Sequence, residues 1–149
     1  MSSDTASVLW GHIRANDLCP GSKSLEEWLH VRWIRARVAG RLWPIFPVIG
    51  YRNDLILHDV HHVVTGYDVT NVGEIEIAAW ELASGGFGYN VFFWLIQIVV
   101  VLFGAPFCPR RSLAAFRIGW KQRNLYGFDA DKVLNMEFQK IAERIQRST

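Results

Sequence analysis

Residues 54–65 read Asp54-Leu55-Ile56-Leu57-His58-Asp59-Val60-His61-His62-Val63-Val64-Thr65, and Gly66 follows. At about 100° per residue, Ile56, Val60, Val63 and Val64 fall on one arc of a helix. His58, Asp59 and His62 fall within an arc of about 100° on the opposite side. The pattern predicts an amphipathic helix over Asp54 to Thr65. Gly66 stops it, because glycine accepts the left-handed backbone that ends many helices.

Toward the C-terminus the same reading continues. A second segment starts near Asn71-Val72-Gly73-Glu74 and stops at Gly85-Gly86. A third runs from Tyr89 to Phe103 and ends at Gly104-Ala105-Pro106, and a fourth runs from Ser112 to about Leu125 with Gly127 beyond it. Asp129 caps a last segment carrying Val133, Leu134, Phe138, Ile141 and Ile145 on one face. Toward the N-terminus, Ser24-Leu25-Glu26-Glu27 fits a capping box. Leu25, Trp28, Leu29, Arg32 and Trp33 then recur at helical spacing to about Leu42, and Pro44 and Pro47 end the run. Hairpin-like alternation is scarce. The expected class is all-α, one domain over residues 1–149 with about six to seven helices.

Composition narrows the function classes. The 149 residues are 50% hydrophobic and 20% charged, which excludes a disordered chain. Sixteen Lys and Arg against fourteen Asp and Glu leave +2, too little for a dedicated nucleic-acid binder. Cys19 and Cys108 form no CxxC pair, so neither a disulfide framework nor a thiolate cage is expected. Met1-Ser2-Ser3-Asp4 does not open a secretion signal, so the expected compartment is the cytoplasm.

Between Leu82 and Pro109 there is no charged residue, and Gln97 is the one polar residue from Val91 to Phe103. The helix bounded by its glycines and proline is about 22 Å long, short of the ~30 Å bilayer core. The reading taken is a buried central helix. The alternatives are a helix partly facing lipid or lining a lipid-like ligand's pocket, and a single membrane span. Arg32, Arg35, Arg37 and Arg41 mixed with Trp28, Trp33 and Trp43 suit either a bilayer interface or a solvated face. Arg110, Arg111, Arg117, Lys121 and Arg123 form a second basic cluster, suited to anionic headgroups, a substrate carboxylate or plain solubility.

The chemistry concentrates on His58, Asp59, His62 and, after eleven intervening residues, Glu74. Imidazoles at i and i+4 can close on one metal ion, with Asp59 ligating it or orienting an imidazole and Glu74 arriving from the next helix. Two nitrogens and two carboxylates suit Zn²⁺, Fe²⁺ or Mn²⁺. The competing reading is a wet polar helix face, with Glu74 serving only as the N3 partner of an Asn71 cap. His61 lies off the metal arc and is assigned to solvent or to a supporting role behind the ligands. Glu76 and Glu81 are expected to be solvated, and Glu81, about 10 Å along the axis from Glu74, cannot share its ion. Tyr67 and Asp68 lie in the connecting turn, either as turn chemistry or within reach of a ring substrate.

His58-Asp59-x-x-His62-x(11)-Glu74 resembles the signature of the fourth Coq protein family of ubiquinone (coenzyme Q) biosynthesis. His62-Val63-Val64-Thr65-Gly66-Tyr67, Gly73-Glu74, Phe116-Arg117-Ile118-Gly119 and Leu125-Tyr126-Gly127-Phe128-Asp129 carry the similarity from about Leu55 to the C-terminus. Only 57 residues precede the motif, fewer than is usual in that family, and residues 1–50 do not align with it. The C-terminal helix also lacks the family's run of acidic and Trp residues after the cap.

The resemblance implies a mainly helical fold and a divalent ion held by His58, Asp59, His62 and Glu74, which then form the catalytic set. It also implies a groove for a polyprenyl chain, peripheral association with the inner face of a membrane, and contact with other quinone-pathway proteins. Pairing of two copies is a further expectation. The implied activity is removal of the C1 carboxylate of a prenylated 4-hydroxybenzoate-type precursor, with hydroxylation there. Two alternatives stand beside it. One is a non-catalytic scaffold for isoprenoid quinone precursors. The other is a paralogue recruited to decarboxylation, cyclisation or isomerisation in secondary metabolism.

Overall fold

The computed structural model describes residues 4–18, 22–38, 40–47, 52–88 and 90–146, with the side chains of 34–38, 45–47 and 92 outside the description. Asp4 accepts the Ser7 N–H at 2.7 Å and starts α1 (Thr5–Ala15), which the sequence reading did not single out. Leu9 and Ile13, one turn apart, bury in the core. Thr5 donates from both its N–H and its hydroxyl to the Met136 carbonyl, tying the first helix to the far end of the chain.

Ser24 caps α2 (Leu25–Leu29) by accepting the Glu27 N–H at 3.2 Å. This helix is one turn long and does not continue to Leu42. The chain instead forms an antiparallel hairpin, β1 (Trp33–Val38) and β2 (Arg41–Pro47), with an irregularity between Ile34 and Arg35. Gly40 makes the turn at φ +77°, a backbone that side chains with a Cβ resist. Pro44 and Pro47 therefore lie within a strand rather than ending a helix. A two-stranded sheet has only edge strands, and edges tolerate proline. The Arg/Trp face expected on a long helix is dispersed: Trp28 is buried, while Arg32, Trp33, Arg41 and Trp43 are exposed.

Eight helices and this hairpin make a mainly helical single domain among the described residues. The motif helix is α3 (Arg52–Thr65), closed by Gly66 at φ +78° with its N–H donated to the His62 carbonyl. It is followed by α4 (Asn71–Ala83), whose cap is Thr70, accepting the Gly73 N–H at 3.3 Å. Ile75, Ile77, Ala78, Ala79 and Trp80 are all buried, so α4 is the central helix. It packs against α5 (Val91–Gly104) and α6 (Pro109–Trp120), which a short 3-10 turn joins. Gly119 lets α6 come this close, because a Cβ there would fall on the backbone of Trp80.

α5 is not a buried helix. Its one polar residue, Gln97, is buried, while Leu102, Phe103 and, just beyond it, Phe107 are 66%, 71% and 87% exposed. The buried-helix expectation fails because Gln97 faces a buried carboxylate, which turns most of the apolar circumference outward. No helix among the described residues is long and apolar enough to cross a membrane. The last segment is two helices, α7 (Ala130–Leu134) and α8 (Phe138–Ile145), rather than one. Asp129 caps the first, accepting the Lys132 N–H at 3.0 Å, and Val133, Leu134, Ile141 and Ile145 enter the core. Asn53 holds α7 to the start of α3: it accepts the Ala130 N–H at 2.7 Å and donates to the Phe128 carbonyl at 3.2 Å.

Candidate metal centre

His58 and His62 stand one turn apart on α3, and Glu74 reaches them from the first turn of α4. One ligand atom from each lies within 4.8 Å of the others. Glu74 Oε2 is 3.5 Å from His58 Nε2, and Glu74 Oε1 is 3.4 Å from His62 Nε2. The two Nε2 atoms are 3.3 Å apart. Because Thr70 is the cap, Glu74 is the fourth helical residue and not the N3 partner of a cap. Gly73 beside it is required by close packing, since a Cβ there would collide with Asp68.

The second nitrogen of each imidazole decides what these contacts mean. His62 Nδ1 lies 3.0 Å from the Tyr67 carbonyl, which can only accept, so Nδ1 carries the proton and Nε2 presents a lone pair. His58 Nδ1 donates to Glu81 Oε1 at 3.0 Å, which leaves its Nε2 in the same state when the ring is neutral. Two lone pairs and a carboxylate thus converge on one point. Such an arrangement is repulsive without a cation between the atoms. Burial of His58 opposes charge, but Glu81 and Glu74 outweigh it and raise the imidazole well above its ordinary range. Glu74 moves the other way: burial lifts its carboxyl, and the adjoining imidazoles of His58 and His62 pull it well below the usual carboxylate range. In the metal-free protein a proton on His58 fills the place that a metal ion would take.

Glu81 is the largest correction to the sequence reading. It is fully buried rather than solvated, and it accepts four hydrogen bonds. Oε1 takes His58 Nδ1–H at 3.0 Å, His61 Nδ1–H at 2.7 Å and the Tyr126 hydroxyl at 2.7 Å; Oε2 takes the Gln97 amide at 3.1 Å. Burial pushes its carboxyl up, but His58 and His61 hold it at about 2. Lying two turns from Glu74, it meets the opposite nitrogen of His58 and makes a carboxylate–histidine pair behind the candidate ligand atoms. Tyr126 gains a hydroxyl that stays protonated, since burial and Glu81 raise it well above its normal value.

His61 is also fully buried and not given to solvent. Leu125 N–H donates to its Nε2 at 2.9 Å, so its proton sits on Nδ1 and goes to Glu81. Burial lowers its affinity for a second proton, which keeps it neutral. Glu76 is buried too, in a two-pronged pair with Arg111 (Nε–Oε1 2.8 Å, Nη2–Oε2 2.5 Å). That pairing takes Arg111 out of the free basic cluster.

Asp59 shares no hydrogen bond with His58, His62 or Glu74 and is outside the three-donor set. Burial raises its carboxyl to about 6 despite the attraction of His58 and His62. Tyr67 contributes its carbonyl to His62, and Asp68 accepts from the Thr70 N–H at 2.9 Å and from the Thr70 hydroxyl. Cys108 is a free thiol apart from this site, and Cys19 lies outside the described residues.

The donor set fits a divalent ion chemically: two imidazole nitrogens with fixed tautomers, one carboxylate, and buried partners behind both rings. Three protein ligands would leave coordination positions open to substrate. The chain has no significant match to a protein-family model, a curated protein or a solved structure.

Proposed function

We propose that the chain is a metal-dependent enzyme of ubiquinone-type biosynthesis. Its reaction would remove the C1 carboxylate of a prenylated 4-hydroxybenzoate-type precursor, with hydroxylation at that carbon. The observation that carries the metal reading is the convergence of His58 Nε2, His62 Nε2 and Glu74 with both Nδ1 protons committed elsewhere. The substrate class rests on the resemblance of the motif and on the apolar surroundings. A zinc, iron or manganese ion held by these residues would supply Lewis acidity to carboxylate and phenolate oxygens, and iron would suit oxygen as the oxidant. Glu81 and the Tyr67 carbonyl fix the two rings so that no reorientation is needed when substrate arrives. The Phe93 ring, edge-on to His58 with centroids 6.0 Å apart, gives an aromatic substrate an apolar neighbour.

The apolar face of α5 and the 3-10 turn favours peripheral contact with a lipid surface, from which a prenylated precursor would be drawn. Leu102, Phe103 and Phe107 are exposed there, Arg110 and Arg117 follow on α6, and Lys121 caps its end. The chain carries no acidic residue between Glu81 and Asp129 to repel anionic headgroups. The same face supports a second reading, a non-catalytic carrier of isoprenoid precursors for partner proteins.

Elemental analysis of anaerobically purified protein, with mass spectrometry of extracted lipid, tests both readings. The enzyme reading expects near-stoichiometric metal in the wild type. It also expects loss of both metal and turnover in His62→Ala. Unchanged metal content in that variant would refute the ligand assignment. Co-purifying isoprenoid with pathway function that survives loss of Glu74 would favour the carrier.

A further inference from the structure

His12, on α1, is the residue with a buried side-chain nitrogen or oxygen that meets no hydrogen-bond partner among the described residues; the atom is Nε2. Its ring lies beside that of His62, 20° from parallel, with centroids 6.3 Å apart. The tautomer of His12 follows from Asn16. The Asn16 amide nitrogen donates to the His12 carbonyl at 2.9 Å, which fixes which end of the amide is nitrogen. That same nitrogen is 3.4 Å from His12 Nδ1, so Nδ1 accepts. The proton of the neutral ring is therefore on Nε2, and the orphan atom is a donor. Buried donors without acceptors are rare and unfavourable, and those that persist commonly serve a ligand.

We infer that His12 Nε2–H is a substrate-binding donor that accepts no metal and instead hydrogen-bonds a carboxylate oxygen of the molecule bound at the His58–His62–Glu74 centre. The inference rests on the metal reading above and adds the anionic group that the centre takes. Protein acceptors nearby are already engaged: Glu74 faces His58 and His62, and the Tyr67 carbonyl faces His62 Nδ1. An N–H donor cannot ligate a cation through the same atom, and the three-donor set does not contain His12. A carboxylate carries acceptor capacity beyond what one cation uses, so it satisfies the centre and the donor together. A phenol bound through its one oxygen has no second oxygen to extend to the donor.

Calorimetric titration of 4-hydroxybenzoate and of phenol into zinc-loaded protein tests this. The comparison uses the wild type, His12→Ala and His12→Gln, with zinc stoichiometry measured for each. The expected result is about tenfold weaker binding of 4-hydroxybenzoate to His12→Ala. Zinc content and phenol affinity should stay unchanged, and His12→Gln, which restores an N–H, should recover most of the loss. Equal affinities in all three proteins overturn the inference, as does an equal loss for phenol and 4-hydroxybenzoate. Zinc loss in both His12 variants overturns it as well, since His12 would then be supporting the ion. A wild type that takes up no zinc removes the metal reading itself. A wild type that takes up zinc and does not bind 4-hydroxybenzoate removes only the role of His12.

Discussion

Glu81 Oε1 stands 3.0 Å from His58 Nδ1, while Glu74 meets the same imidazole at Nε2 from the other end. One ring thus lies between two carboxylates, one fully buried and fourfold hydrogen-bonded, the other open on one side. The buried carboxylate orients the ring, and the open one would share an ion held between the two imidazoles.

Glu81→Gln keeps the volume and removes the charge. Zinc affinity should weaken about 10–100-fold, although Glu81 does not touch the ion. Stability should fall by about 3–5 kcal/mol, because His58, His61 and Tyr126 lose a shared anionic acceptor. Competition with a chromogenic chelator and urea unfolding measure the two effects. Wild-type zinc affinity in this variant would sink the positioning role.

The pH dependence has opposite signs on its two sides. The Glu81 carboxyl is depressed to about 2 from its ordinary 4.5, so its stabilisation is full above 4.5 and lost as pH falls toward 2. His58 is raised above its ordinary 6.5, so its contribution is full below 6.5 and lost as pH rises through the raised value. These two groups together favour the metal-free protein between pH 4.5 and 6.5, while Asp59 works against it as pH rises toward 6 and His61 as pH falls below 6.5. Zinc competes with the His58 proton, so the zinc-induced rise in melting temperature should grow with pH. Calorimetric melts with chelator and with zinc across pH 3–9 are the measurement.

Asp59→Asn separates the two roles proposed for that residue. Burial raises the Asp59 carboxyl to about 6 from 3.8, so the folded metal-free protein loses stability as pH rises through that window. The amide avoids this loss, and the metal-free variant should be about 1–2 kcal/mol more stable at neutral pH, the gain being limited by partial exposure. If Asp59 ligates the ion directly, zinc affinity will fall in the same variant; if it does not, affinity will hold. Thermal melts and zinc titration read both.

Phe103→Ser combined with Phe107→Ser removes the two most exposed rings at the end of α5. Binding to vesicles of phosphatidylcholine with phosphatidylglycerol should drop tenfold or more, given about 1.5–3 kcal/mol for full burial of a phenyl side chain. Melting temperature should hardly move, because these rings contribute little to the core. Cosedimentation gives the result, and unchanged binding would remove the lipid-surface proposal.

Local patterns were legible without coordinates. The Gly66 stop, the α4 start near Asn71 and the Asp129 cap depend on a few neighbouring residues whose backbone preferences act over one turn. The i,i+4 placement of His58 and His62 follows from helical pitch alone. The hairpin was missed because Leu25, Trp28 and Leu29 continue a helical spacing into Trp33. Ile34, Ala36 and Val38 alternating with Arg35 and Arg37, ahead of Gly40, was the signal available.

What the sequence alone determined was which side chains share a helix face, because 3.6-residue periodicity is a property of one segment. Packing settled what each face meets: Glu81 against His58 and His61, Gln97 turned inward with the apolar side of α5 outward, and His12 laid beside His62. Those partners are separated by 16 to 50 residues in the chain, as Gln97 from Glu81 and His62 from His12 show. No local preference specifies such pairs. They are settled only when burial forces every donor and acceptor to find a counterpart, and that condition applies to the packed molecule as a whole.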